Sequence, residues 1–276
     1  KLLKDFPKNK EYMELPPPKG FLTLEGVYAK PPASEKYTLE NINFSINKGD
    51  IVGIIGPSAA GKSTLARVIL GVWPVQIGTV RMDGADISQW DREHLGKYIG
   101  YLPQDIELFA GTISENIARF RKVDAQKVIE AAQKAGVHEM ILRLQEGYDT
   151  PIGTSGTVLS GGQRQRIGLA RAIYDNPVFV VLDEPNSNLD EQGELALLKT
   201  VEELKQSGTT VVIITHRPNI LKVTNKILIM NSGKIERYAS TEEILGAVAK
   251  QNQSAQTPQR PAQIAPQQIN LTKPGS

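Results

Sequence analysis

Apolar positions in this chain come in short runs separated by stretches of helical repeat. Residues 21–27 and 39–46 alternate apolar and polar side chains, the period of a strand with one buried face. Ile51-Val52-Gly53-Ile54-Ile55 is a continuous apolar run bounded by glycine, which predicts a strand covered on both faces. A helix is predicted over 62–72 and a strand over 98–103. Residues 124–145 carry Val128, Ile129, Ala132, Val137, Met140 and Ile141 at helical spacing and read as one or two helices. The runs 178–182 and 210–214 are two further buried strands, beside predicted helices over 163–174 and 191–206. Strands alternating with helices imply a largely parallel sheet. The strand-rich beginning predicts an antiparallel edge, and the helical run over about 106–160 predicts an inserted subdomain. No internal repeat is visible.

The two ends depart from this pattern. Residues 1–20 are rich in Lys and Pro, and Pro16, Pro17 and Pro18 exclude a helix or central strand there. They read as a linker or a frayed terminus. Residues 251–276 hold seven Gln and four Pro and no acidic residue, the composition of a disordered tail. The predicted organisation is a linker over 1–20, a folded domain over 21–247 and a tail over 248–276.

Composition then removes whole classes of chemistry. The chain has no Cys, so disulfide scaffolds, thiolate metal sites and Cys nucleophiles are excluded. Three scattered His argue against a His-rich metal centre. A net charge of +2 argues against nucleic acid as a partner. The apolar runs fall far short of the roughly 20 residues that span a bilayer. The first residue is Lys, which fits a piece of a longer polypeptide.

Gly56-Pro57-Ser58-Ala59-Ala60-Gly61-Lys62-Ser63-Thr64 fits G-x-x-x-x-G-K-[ST], directly after the 51–55 strand and opening a helix. Glycines let the backbone wrap phosphates, and the N–H groups and helix N-terminus supply donors. Lys62 is expected to reach the β- and γ-phosphates and Ser63 to ligate Mg²⁺. The run ending at Leu182 delivers Asp183 and Glu184 at a strand end, expected next to the phosphate-loop strand, where open α/β sheets place ligands. Asp183 is the expected Mg²⁺ partner and Glu184 the general base for the attacking water. A dipole-balancing acidic pair is the alternative. These elements describe a P-loop nucleotide hydrolase; a kinase, a GTPase or a motor has both.

Leu159-Ser160-Gly161-Gly162-Gln163 narrows this, because it resembles the signature motif of ATP-binding cassette (ABC) proteins. Gln104 in Tyr101-Leu102-Pro103-Gln104 resembles the Q-loop glutamine. Ser187-Asn188-Leu189-Asp190 resembles the D-loop, and His216 the switch histidine. The resemblance spans residues 50–217. It implies an ABC ATPase domain: a P-loop, RecA-like α/β core with an antiparallel β subdomain and an inserted helical subdomain. It also implies a head-to-tail homodimer in which Ser160, Gly161, Gly162 and Gln163 face, in trans, the ATP held by residues 56–64 of the other copy. In that family His216 would contact the γ-phosphate, Gln104 would touch Mg²⁺ or the attacking water, and Asp190 would shape the dimer interface. By itself the signature string is also a capped helix with a Gly-rich entry.

Two positions depart from the family pattern. The adenine-stacking aromatic is missing near Lys30-Pro31-Pro32, leaving Tyr28 and Tyr37 as nearest candidates, either of which is equally a packed strand residue. A glutamate common before the signature of exporters is absent from Gly153-Thr154-Ser155-Gly156-Thr157.

Residues 102–120, the Trp73-Pro74 to Ile87 stretch and the entry 13–20 resemble type I secretion ATPases that export proteases and lipases. The resemblance implies a preceding membrane domain in the same polypeptide, a periplasmic adaptor, an outer-membrane channel and an exported protein as cargo. It implies a place on the cytoplasmic face of a bacterial inner membrane. The loop 105–109 is the expected contact with the membrane domain. The competing reading is a soluble ABC ATPase that clamps without transport; a regulatory nucleotide-binding module is a further one.

Overall fold

A computed structural model describes residues 15–32, 34–153 and 159–247. The chain forms two units, Lys1–Thr241 and Glu242–Ser276; in the second, residues 242–247 are described and helical. Most of the predicted linker and all of the predicted tail lie outside the described residues, as do Thr154, Ser155, Gly156 and Thr157.

In the first unit the order begins β1 (Leu22–Ala29), β2 (Leu39–Ile46), β3 (Ile51–Ile55), α1 (Lys62–Ile69), β4 (Ile77–Met82), β5 (Ala85–Asp86), α2 (Arg92–Leu95) and β6 (Ile99–Leu102). It continues with β7 (Gly111–Thr112), α3 (Ile113–Ile117), α4 (Ala125–Lys134), α5 (His138–Leu142), β8 (Pro151–Ile152), α6 (Gly161–Ile173), β9 (Phe179–Asp183) and α7 (Glu191–Gln206). The last elements are β10 (Thr210–Ile214), α8 (Pro218–Leu221), β11 (Lys226–Asn231) and β12 (Lys234–Ser240).

Six strands make one sheet in the order β12-β11-β3-β10-β9-β6, parallel except for β12 at its edge. The expected antiparallel edge is a separate four-stranded sheet, β2-β1-β4-β5. The inner strands of the parallel sheet explain their unbroken apolar sequence. Ile51, Val180, Leu182, Val211 and Ile213 enter a core shared with residues of α3 to α7. Their neighbours Val52, Ile54, Phe179, Val181, Val212 and Ile214 enter a second core shared with α1 and the antiparallel sheet. Alternate side chains of a strand point to opposite faces, so a sheet covered on both sides needs apolar residues at every position.

Local chemistry sets the ends. The helix predicted over 62–72 stops at Ile69, and Gly71 follows with φ +65°. The 124–145 run is two helices, because Gly136 at φ +65° turns the chain between them. The helix predicted from 163 starts at Gly161, where Ser160 caps it.

Two devices fix the periphery. The Asp83 carboxylate accepts from the N–H groups of Lys19, Gly20 and Phe21 at 2.6, 3.2 and 3.1 Å. The entry segment is thereby tied to the antiparallel sheet. Arg119 follows α3 with φ +57° and donates to five carbonyl oxygens, those of Gly96, Ile99, Arg171, Ala172 and Tyr174. It joins the helical subdomain to β6 and to the C-terminal end of α6, where a cation also opposes the helix dipole. Burial pulls its guanidinium down to about 10.

Candidate functional site

Four loops leave the C-terminal ends of four neighbouring strands, β3, β10, β9 and β6. They carry, in that order, the phosphate loop, His216, the Asp183-Glu184 pair and Gln104. This is the edge of an α/β sheet where ligands bind. One expectation is corrected here. The strand ending in Asp183 does not adjoin β3, because β10 pairs with both and lies between them. Local sequence pattern carries no information on strand order, and adjacency in the sheet follows the crossovers instead.

The phosphate loop is built by backbone needs. Gly56 has φ +152°, and a Cβ there would overlap the Met230 carbonyl oxygen. Ala59 has φ +62° and Gly61, the N-cap of α1, φ +97°. Lys62 is only 7% exposed, and its Nζ donates to the carbonyls of Gly56 and Pro57 at 2.8 and 2.9 Å. Burial lowers its pKa, with Glu184 and Asp183 pulling the other way. The ammonium is thus folded back onto the bend of its own loop, where the donors it spends on carbonyls are available to phosphate oxygens.

Asp183 is 1% exposed, and neither carboxylate oxygen has a hydrogen-bond partner among the described residues. Burial pushes its carboxyl above the usual range; the Ser63 hydroxyl beside it, Arg67 and Lys62 oppose the rise and Glu184 adds to it. The Ser63 hydroxyl stands close enough to ease this charge without meeting hydrogen-bond geometry, so the buried carboxylate stays costly unless a cation meets it directly. Asp183 with the Ser63 hydroxyl is a hard oxygen pair that fits Mg²⁺ completed by phosphates and water. Among the described residues no group of three His, Cys, Asp or Glu forms a metal cage of its own.

Glu184 is at the centre of the site. Gln104 Nε2 donates to its Oε2 at 3.2 Å, and His216 Nε2 stands 3.6 Å from its Oε1. Its backbone has φ +49°, and its N–H donates to the Ile214 carbonyl at 2.9 Å. The Glu184 carbonyl accepts from the Ser187 N–H at 3.2 Å and from Gln165 Nε2 at 3.3 Å. Gln165 was not among the residues singled out in the sequence. It lies within α6 like any helix amide, and only tertiary structure reveals what it reaches.

The signature residues form a capping box: Gln163 N–H donates to Ser160 Oγ at 3.2 Å, and Ser160 N–H donates to Gln163 Oε1 at 2.8 Å. The Gln163 side chain is therefore engaged in closing its own helix. Gly162 packs on the D-loop, since a Cβ there would stand 2.8 Å from the Asn188 carbonyl oxygen. Asp190 caps α7 by accepting from the Gly193 N–H at 2.8 Å. Tyr28 is half-buried on β1, edge-on to the more exposed Tyr37 with centroids 5.6 Å apart. The next residue, Thr38, borders the phosphate loop: a Cβ on Gly61 would stand 2.9 Å from its carbonyl oxygen.

The ABC transporter family profile matches residues 39–187. This chain belongs to the ABC transporter family. It is 48% identical, over 91% of its length, to the type I secretion system ATP-binding protein PrsD of Rhizobium meliloti, of which it covers 44%. It is 37% identical, over 84% of its length, to the alpha-hemolysin translocation ATP-binding protein HlyB of Escherichia coli, of which it covers 33%. A solved bacterial Atm1-family ABC exporter with ATP bound superposes with a TM-score of 0.80 at 31% identity, covering 91% of this chain and 45% of that one. The chain thus spans less than half the length of the relatives it matches. As an ABC domain it binds ATP, and its fold is that of the family: a parallel core sheet, an antiparallel sheet and a helical subdomain. No helix among the described residues is long and apolar enough to cross a membrane.

Proposed function

We propose that this ABC domain hydrolyses ATP to power protein export as the nucleotide-binding part of a type I secretion transporter. The observation that carries the reading is the Glu184 carboxylate, held between Gln104 and His216 beside the buried Asp183. The names of PrsD and HlyB support the secretion assignment. On that reading the partner is a membrane domain and the location is the cytoplasmic face of a bacterial inner membrane. An adaptor and an outer-membrane channel complete that arrangement.

In this mechanism N–H groups of the 56–64 loop other than Pro57, which has none, cradle the phosphates, and Lys62 moves from its loop carbonyls to the β- and γ-phosphates. Ser63 and Asp183, with Gln104 near them, would hold Mg²⁺, which would supply neutralisation of the charge on the transferring phosphoryl group. Glu184 accepts a proton from the attacking water, and His216 contacts the γ-phosphate. The Tyr28–Tyr37 pair, bordering the loop through Thr38, is where adenine stacks. A second copy supplies Ser160, Gly161, Gly162 and Gln163 across the interface, next to Asp190. ATP thereby favours the closed pair over the open one, and hydrolysis reverses that preference. The loop 105–109, with Phe109 exposed and under the Arg171 guanidinium, meets the membrane domain.

Light scattering of Glu184→Gln with Mg-ATP and with Mg-ADP tests this. A dimer with ATP alone is expected. Wild-type hydrolysis rates in this variant would overturn the assignment of Glu184.

A further inference from the structure

Gln165 sits on α6 five residues past Ser160 and is 1% exposed. A buried amide is costly unless both its ends are hydrogen-bonded. Here both are: Nε2 donates to the Glu184 main-chain oxygen at 3.3 Å, and Oε1 accepts from Asn188 Nδ2 at 3.3 Å. The main-chain oxygen can only accept, which fixes the orientation of the amide.

The residue it holds is backbone-strained. Glu184 has φ +49°, a region that is costly for L residues and persists only where the surroundings over-determine it. The other main-chain restraints on Glu184 come from the Ile214 carbonyl at the end of β10 and from the Ser187 N–H in the turn three residues on. Gln165 brings in the restraint from α6, the helix that opens with the signature.

We infer that Gln165 is a positioning residue for hydrolysis: by bridging α6, Asn188 and the Glu184 carbonyl, it holds the turn that aims the Glu184 carboxylate at the water. It touches neither ATP nor metal. It also makes the catalytic carboxylate of one ATP site a rigid neighbour of the helix whose N-terminus serves the other site. The inference rests on the reading of Glu184 as the residue that acts on water.

The test uses the whole chain with Gln165→Met, which keeps side-chain length and helix propensity and removes both hydrogen bonds. Steady-state ATPase kinetics, equilibrium titration with a fluorescent ATP analogue and thermal unfolding are measured together. A fall in kcat on the order of tenfold to a hundredfold is expected from misaimed chemistry, with analogue affinity unchanged within about twofold. Asn188→Ala, which removes the partner of Gln165 Oε1 and leaves α6 intact, is expected to lower kcat by a smaller factor with affinity again unchanged. It keeps the question open to refutation if Gln165→Met does not fold. Wild-type kcat in the folded variants overturns the inference, and so does a loss of kcat matched by an equal loss of affinity. Glu184→Gln measured in parallel separates the two claims: if that variant hydrolyses ATP like the wild type, it is the role of Glu184 that fails.

Discussion

The side-chain amide of Gln104 donates to Oε2 of Glu184 across 3.2 Å, joining residues 80 positions apart. The loop after β6 is thereby latched to the Glu184 carboxylate, whereas the proposed mechanism has the phosphates held elsewhere, on the β3 loop. Gln104→Ala is therefore expected to lower kcat by about tenfold, the scale of a lost positioning contact, and to leave ATP affinity within about twofold. Steady-state kinetics beside a binding titration reads this directly. A proportional loss of affinity would mean that Gln104 serves binding instead.

Asp183 predicts a reversal of sign between the free and the loaded protein. Burial holds its carboxyl above the ordinary range, so the folded state binds a proton more readily than the unfolded chain. Stability of the nucleotide-free protein then falls as pH rises from the ordinary Asp range through the raised value. Asp183→Asn removes this cost. The variant should melt above the wild type at neutral pH without nucleotide. The gap should close as the pH falls far enough to protonate the wild-type carboxyl. With Mg-ATP the wild type should gain more in melting temperature than the variant, since asparagine is a poorer Mg²⁺ partner. Calorimetry across pH, with and without Mg-ATP, checks each arm.

Gly56→Ala puts a methyl group into the Met230 carbonyl oxygen. The loop can relieve this only by moving away from β11, which spoils the cradle. A loss of about 1–3 kcal/mol in denaturant unfolding is expected, together with loss of ATP binding.

Arg119→Met leaves carbonyls of Gly96, Ile99, Arg171, Ala172 and Tyr174 without their donor. A destabilisation of about 2–4 kcal/mol is expected. Arg119→Lys should recover only part of it, because one ammonium cannot reproduce the planar fork. Urea unfolding of the three proteins measures the series, and ATP affinity well below the melting point should stay unchanged.

What could be read from the sequence follows from how far each signal reaches. The strands 39–46, 51–55 and 210–214 and the helix 191–206 agree residue for residue with the structure, because clean alternation or an unbroken apolar run marks each strand and Asp190 caps the helix. The sequence pattern does not mark β4, β11 and β12, nor the two-residue strands β5, β7 and β8. β12 is the exposed edge of its sheet, and Lys-Ile-Glu-Arg-Tyr-Ala-Ser offers too little apolar contrast to mark it. In the proposed site Lys62, Ser63, Asp183 and Glu184 stand out by motif, since the chemistry expected of them dictates residue type and spacing. Gln165 and Arg119 do not. Both act on main-chain carbonyls, which every residue possesses, and the latter's targets lie 20 to 55 positions away. The interposed β10 was hidden for the same reason: pairing partners are a property of topology.

That strand order also works as a ruler. Neighbouring strands repeat at about 4.8 Å, so Lys62 and the Asp183-Glu184 pair hang from fixed marks two spacings apart, with His216 on the mark between. These distances cannot drift without breaking the ladder that defines them. Gln104 lies past the last residue of β6, at the sheet's outer mark and beyond its pairing. On the proposed mechanism, arrival or loss of the γ-phosphate is expected to leave the stiff marks in place and to collect displacement at the free end of the scale, where the loop to the helical subdomain begins.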